Sequence, residues 1–170
     1  MQTSISYLAR DPIFDREKPF DTDVPVDHIT RARASNHSND ERDVTVFPVT
    51  DPAEWNLEKH GFCFIKAKTG LKAEDALTRK REVQKDYCVW RPLRGPNNDW
   101  PLAMCDWTTI DPLTDVRVND AIRRDRVDEN AILHYNEKHK WYFMRDQSVE
   151  DLIVFRNADS LGKRARKYLG

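Results

Sequence analysis

The stretch Ala131-Ile132-Leu133-His134-Tyr135-Asn136-Glu137-Lys138-His139-Lys140-Trp141-Tyr142-Phe143-Met144 decides the fold class. Two apolar or aromatic runs, Ala131 to Tyr135 and Lys140 to Met144, flank the polar Asn136 to His139, a pattern that predicts a β-hairpin with a four-residue loop. Beyond it, Ser148 precedes Asp151 by three residues, a capping-box-like signal for one helical turn before Leu152 to Phe155. Before it, Trp90, Trp100 and Trp107, with Trp141, Tyr142 and Phe143, gather most of the large aromatic area, which places the core in this half. Pro92, Pro96, Pro101 and Pro112 remove backbone donors and break the intervening chain into short strands and turns. Nearer the N-terminus, Val44 to Val49 and Phe62 to Ala67 read as strands separated by the turn signals Asp51, Pro52 and Gly61. Lys72 to Asp86, rich in Ala, Glu, Lys and Arg, predicts a surface helix with the thin apolar stripe Ala73, Ala76, Leu77 and Val83. The sum is an α+β, strand-dominated domain.

Asp11 to Asp43 has few large apolar residues and cannot order itself alone. Residues 1–43 are therefore expected to form an extended N-terminal arm, with Ile13, Phe14, Phe20, Val24 and Val26 available to strap it along a single folded domain spanning 44–170. The 170-residue chain is 39% hydrophobic, enough for one core. Its 28 basic and 29 acidic side chains leave a formal net charge of -1, which argues against nucleic acid as a partner. No apolar run approaches the roughly 20 residues of a bilayer helix, and Met1 to Arg10 lacks the pattern of a secretory signal. A cytoplasmic protein without a membrane partner is expected. Cys63, Cys88 and Cys105 read as reduced, buried thiols. The alternative for Cys105, a nucleophile beside Asp106, needs a neighbouring base that the local sequence does not supply.

A non-haem iron centre of the facial-triad type needs two imidazoles and a carboxylate, and His-x-Asp or His-x-Glu on a strand supplies two of them. The five histidines, His28, His37, His60, His134 and His139, are followed two positions later by Thr30, Asn39, Phe62, Asn136 and Trp141. None is a carboxylate. The remaining metal candidates, His134, Glu137 and His139, would have to meet across the expected hairpin, where a solvated polar tip is the simpler reading. No Cys-x-x-Cys pair suggests zinc, and the five glycines form no phosphate-binding or dinucleotide motif. The basic tail Lys163, Arg164, Arg166 and Lys167 is either solvated or available to an acidic group. No cofactor is evident from these residues.

Three patches, Trp90-Arg91-Pro92-Leu93, Asp99-Trp100-Pro101-Leu102-Ala103-Met104-Cys105-Asp106, and His139-Lys140-Trp141-Tyr142-Phe143 with Leu152-Ile153-Val154-Phe155 and Asp159-Ser160, resemble the fungal hydroxylase/desaturase family. That family includes gibberellin desaturase and cephalosporin 7-alpha-methoxylase-related proteins. His60-Gly61-Phe62-Cys63-Phe64 is similar to its N-terminal strand region. The resemblance implies an oxygenase with a double-stranded β-helix, jelly-roll-like, serving secondary-metabolite biosynthesis with Fe(II) and 2-oxoglutarate and acting on a small-molecule metabolite. It also implies a substrate pocket near Trp90, Arg91, Asp106 and Trp141, for which a core-aromatic role, with Arg91 paired to Asp99 or Asp106, is the competing reading.

The departures are specific. Only about 20 residues join Thr69 to Trp90, where the family carries a longer segment with its His-x-Asp pair, and neither the distal histidine nor the arginine for the co-substrate follows Asp159-Ser160. Catalytic residues are therefore not assigned. The expectation is an incomplete jelly roll that self-associates through an open edge at Lys140 to Met144 or Leu152 to Phe155, or covers that edge with the arm. Functionally, the alternatives to a hydroxylase/desaturase-type oxidoreductase are a non-catalytic remnant or binding module, or a mis-spliced transcript of an active oxygenase.

Overall fold

The computed structural model describes residues 1–68 and 87–156. Ten strands dominate it: β1 (Gln2–Leu8), β2 (Phe20–Thr22), β3 (Asn39–Pro48), β4 (Phe62–Lys66), β5 (Tyr87–Trp90), β6 (Ala103–Cys105), β7 (Val116–Ile122), β8 (Val127–Leu133), β9 (Trp141–Phe143) and β10 (Asp151–Arg156). Among the described residues the α-helical content is the single turn α1 (Leu57–His60). The described residues divide into two compact units, one from 45–68, 87–109 and 140–156, the other from Gln2–Val44 and Ile110–His139.

In the first unit β10 lies between β4 and β5, antiparallel to both, with Ile153 opposite Phe64 and Trp90 and Phe155 opposite Phe62. Directly opposed residues share a face, so Phe62, Phe64, Trp90, Ile153 and Phe155 make one apolar surface. Trp55 closes on it, stacked on Phe62 at 4.8 Å and edge-on to Phe64 and Tyr142. The intervening turn is held at both ends. Asn56 caps α1 by accepting from the Glu58 and Lys59 amides, and Gly61, at φ +83°, supplies the left-handed residue that ends it. The end of β3 runs parallel to β9, with Val46 opposite Trp141, and β9 runs antiparallel to β6.

In the second unit β7 and β8 form a hairpin in register from Val116 opposite Leu133 to Ile122 opposite Val127, and β2 adds in parallel beside β7. β1 lies alongside β3. Tyr7, Leu8, Phe14 and Ala121 are buried here. The N-terminal segment is thus extended, and it supplies strands.

Several expectations need correction. Ala131 to Met144 is not a hairpin: β8 pairs with β7, and β9 with β3 and β6. The link between them is a hydrogen-bonded turn, with the His139 amide on the Asn136 carbonyl and the Asn136 side chain turned to Asp115. Leu152 to Phe155 is strand, and the segment before it is a turn rather than a turn of helix. Ser148 does close a turn on Asp151, its Oγ donating to Oδ2 at 2.6 Å, but the β-branched run then finds a partner strand on each side. For the same reason neither β9 nor β10 is the open edge that the sequence suggested.

Trp100 is 88% exposed, outside the core; its carbonyl accepts from Asn97 Nδ2 in a loop between Pro96 and Pro101, two residues that have no backbone N–H to give. The core also reaches Tyr7, Leu8, Phe14, Val46 and Phe62, well outside the aromatic C-terminal half. Cys63 and Cys105 are half-buried and not in disulfides, and burial pushes the Cys63 thiol up, away from thiolate. The expected helix from Lys72 to Asp86, the basic tail and Asp159-Ser160 lie outside the described residues. No helix among the described residues is long and apolar enough to cross a membrane.

Candidate functional site

Of the four pocket candidates, Asp106 and Trp141 come together. β6 ends at Cys105 opposite Trp141, and the next amide, Asp106 N–H, donates to the Lys140 carbonyl at 2.9 Å. The Asp106 carboxylate is buried and accepts from the Thr108 amide at 3.0 Å and the Thr108 hydroxyl at 2.9 Å, holding the short turn Trp107–Thr109 in the manner of a helix N-cap. Thr109 Oγ1 closes the arrangement, donating to the Asp106 carbonyl and accepting from Lys140 N–H. Burial, helped by the Asp106 charge, pushes the Tyr142 hydroxyl above its ordinary range. A carboxylate so tied is a backbone fastener.

Trp90 sits half-buried at the end of β5, opposite Ile153, and Arg91 Nη1 reaches the Val149 carbonyl at 3.4 Å. These two therefore belong to the β4–β10–β5 sheet. Next to them sits a residue the sequence did not single out: Gln147, buried, with Nε2 donating to the Asp151 carbonyl and its own backbone bridged to Asn97. Its Oε1 has no partner among the described atoms.

The metal candidates lie in the second unit and are placed by a residue that sequence reading passed over, Asp115. Its side chain is fully buried, and its two oxygens accept from the Asp111 amide at 2.9 Å, Thr114 Oγ1 at 3.0 Å, Asn136 Nδ2, Arg10 Nη2 at 3.3 Å and His139 Nε2 at 3.2 Å. Burial pushes this carboxyl up, but the donors outweigh it and hold it below the usual carboxylate range. His139 stacks on Tyr7 at 5.8 Å, and its Nδ1 is buried without a partner. His134 is buried, donates from Nδ1 to the Leu8 carbonyl at 2.8 Å, and accepts at Nε2 from Arg117 Nε at 3.4 Å. Burial, with the Arg10 and Arg117 charges, lowers its pKa despite the Leu8 carbonyl. Glu137 is exposed. With the hairpin absent, His134, Glu137 and His139 do not meet around a common point, and among the described residues no group of three His, Cys, Asp or Glu side chains is arranged to hold a metal ion.

Comparison with known proteins bears on the fold and the patches above. The family model described as "Oxidoreductase/YMDC permease-like domain" matches residues 88–169, a little under half of the chain. The "Fe(II)/2-oxoglutarate-dependent dioxygenase nvfI" of Aspergillus novofumigatus is 34% identical over 92 residues, 53% of this chain and 33% of that protein. The "Aspirochlorine biosynthesis protein N" of Aspergillus oryzae is 33% identical over 76 residues, 42% of this chain and 31% of that protein. The matched segments thus span about a third of these curated relatives. Among solved structures, a variant of the iron and alpha-ketoglutarate-dependent endoperoxidase NvfI superposes with a TM-score of 0.74 at 18% identity, covering 94% of this chain and 85% of that one. NvfI in a different conformation gives 0.71 at 19% identity, with the same coverages. The fold is therefore the jelly-roll-like one of the 2-oxoglutarate oxygenases, and the homologues are fungal dioxygenase and secondary-metabolite proteins, as the resemblance indicated.

Proposed function

We propose that this chain serves fungal secondary-metabolite biosynthesis, in the cytoplasm, as an oxidoreductase-family protein of the hydroxylase/desaturase type that takes a small-molecule metabolite. The observation that carries this reading is that one segment, β5 to β10, holds the Trp90–Pro92, Ala103–Asp106 and Trp141–Phe143 patches and also matches the oxidoreductase family model. Likeness of fold alone is a weaker warrant, because one fold hosts many functions.

The dioxygenase nvfI is Fe(II)- and 2-oxoglutarate-dependent by name, as is the endoperoxidase NvfI among the solved structures, and these are the cofactors such chemistry takes here. The side chains described here do not fit the metal: His134 is closed by a guanidinium and a carbonyl, Asp115 carries protein donors on both oxygens, and among the described residues no three His, Cys, Asp or Glu side chains are grouped to hold an ion. That observation favours a second reading, a non-catalytic binding member of the same pathway.

Deletion of the gene in the producing fungus, followed by comparative metabolite profiling, tests the shared part. The expected result is loss of one oxygenated product and accumulation of a precursor, and an unchanged profile overturns both readings. The purified chain with the accumulated precursor then separates them. Turnover supports the oxidoreductase, and saturable binding without turnover supports the binding member.

A further inference from the structure

We infer that this chain does not assemble a two-imidazole, one-carboxylate iron centre from its own side chains, four of its five histidines being committed to holding the protein together. The inference rests on the proposed function only for the choice of metal. A facial triad needs an in-plane lone pair from each of two imidazoles, converging with a carboxylate that still has an oxygen to give. All five histidines fall within the described residues, so their nitrogens can be followed one by one.

His134 carries its proton on Nδ1, since that atom faces the Leu8 carbonyl, and its Nε2 lone pair is taken by Arg117. A fixed guanidinium at that lone pair repels a dication as well as blocking it. His60 accepts from the Asn56 amide at Nδ1, at 3.0 Å, which leaves a proton on Nε2 and no lone pair to offer in the neutral ring. In His37, Nε2 lies 2.7 Å from Asn119 Oδ1; Asn119 Nδ2 donates to Asp21 and Asn130, so its oxygen is the acceptor and His37 Nε2 the donor. In His139 the proton faces Asp115 from Nε2. His28 stands in an exposed turn.

Available lone pairs therefore remain on His28, His37 and His139 at most. The His139 Nδ1 lone pair is sealed within the protein against Tyr7. The carboxylate beside that ring, Asp115, already accepts from five protein groups, counting Asp111, Thr114, Asn136, Arg10 and His139. Asp21, near His37, is likewise bonded by Asn119 and by Arg123 at 3.0 Å. Stripping such a carboxylate of its donors to give an oxygen to iron leaves those donors unsatisfied, and metal ligands normally come with outer partners that support them rather than compete for the same oxygens.

The test uses the full chain, stripped with chelator and titrated anaerobically with Fe(II), and in parallel with Co(II) as a spectroscopic probe, each with and without 2-oxoglutarate. The expected result is no saturable uptake of one ion per chain, a Co(II) spectrum that stays that of the hydrated ion, and a melting midpoint unmoved by Fe(II), since a ligand that binds the folded state raises it. Stoichiometric uptake with shifted Co(II) bands, abolished in His37→Gln or His139→Gln, overturns the inference. Should His139→Gln fail to fold, His28→Gln and His37→Gln still decide, because a triad in this chain must use at least one of those rings. Failure of the pathway reading appears in the metabolite profile, and failure of this inference in the titration.

Discussion

Asp115→Asn isolates the most highly bonded buried charge among the described residues. The donors around the carboxylate share its two oxygens: Thr114, Arg10 and Asn136 point at Oδ1, and the Asp111 amide, His139 and Asn136 at Oδ2. An asparagine fits in either flip only by setting an N–H₂ against at least two of these donors, so the near-isosteric change removes the charge and leaves groups unsatisfied. Removing one partner of a buried ionic network costs about 3–5 kcal/mol. In a chain of this size each kcal/mol moves the midpoint by about 2–4 °C, so a loss of about 6–20 °C follows. Thermal unfolding by circular dichroism at pH 7 measures it. Asp120→Asn is the control, since Asp120 is partly exposed and shares Lys18 with Glu129, and exposed pairs are worth about 0–1 kcal/mol. An Asp115→Asn midpoint indistinguishable from that of Asp120→Asn would refute the assignment of Asp115 as the hub of its unit.

Trp100→Ala should change stability by no more than about 0.5 kcal/mol, because the ring is 88% exposed; a large drop in denaturation midpoint would return Trp100 to a core. Phe62→Ala removes a ring that is 1% exposed and stacked on Trp55, and should cost about 3–5 kcal/mol in chemical denaturation. Acid unfolding should come in two stages. His134 has a pKa lowered from 6.5 by burial, so the unfolded chain takes up its proton first and stability falls as pH drops below about that value. Asp115, lowered from 3.8, keeps its contribution above that pH and loses it as pH falls further, through its depressed folded value. Denaturant midpoints across pH 3–8 check this, and His134→Gln should flatten the upper stage alone.

Local pattern revealed what is locally determined. The β-branched run at Val44 to Val49 lies largely in β3, Phe62 to Ala67 in β4, and Gly61 is the left-handed residue that ends α1. What local pattern does not contain is the partner of a strand. Trp141 pairs with Val46, far away in sequence, while the adjacent run that looked like its hairpin mate pairs with β7. β7 itself was hidden because one of its fully buried positions is Asn119, a polar residue whose hydrogen bonds go to Asp21, Asn130 and His37. Trp100 misled in the opposite sense. An aromatic ring suggests burial, yet the prolines around it had already denied its backbone a place in a sheet. At the candidate site, Asp106 also holds a turn through Thr108, and Asp115 went unnamed although Asp111, Thr114 and Asp115 form a recognisable turn sequence whose acceptors needed donors.

Sequence similarity to the oxidoreductase family model begins at residue 88, whereas structural likeness to NvfI extends over 94% of the chain. Strands β1 to β4 therefore share an architecture with the oxygenases at positions the family model does not reach. Apolar alternation and turn geometry tolerate wide substitution as long as volume and pattern are kept, so a fold outlasts its sequence. A metal centre does not, since it needs particular atoms with their lone pairs unspent. In this chain two such groups are spent on the fold: His134 ties β1 to the end of β8, and Asp115 ties Arg10 to the turn after it. The hydrogen bonds that these two residues give to the second unit are the ones that close them to iron, so freeing either of them by single substitution of its partners should lower stability before it gains a metal.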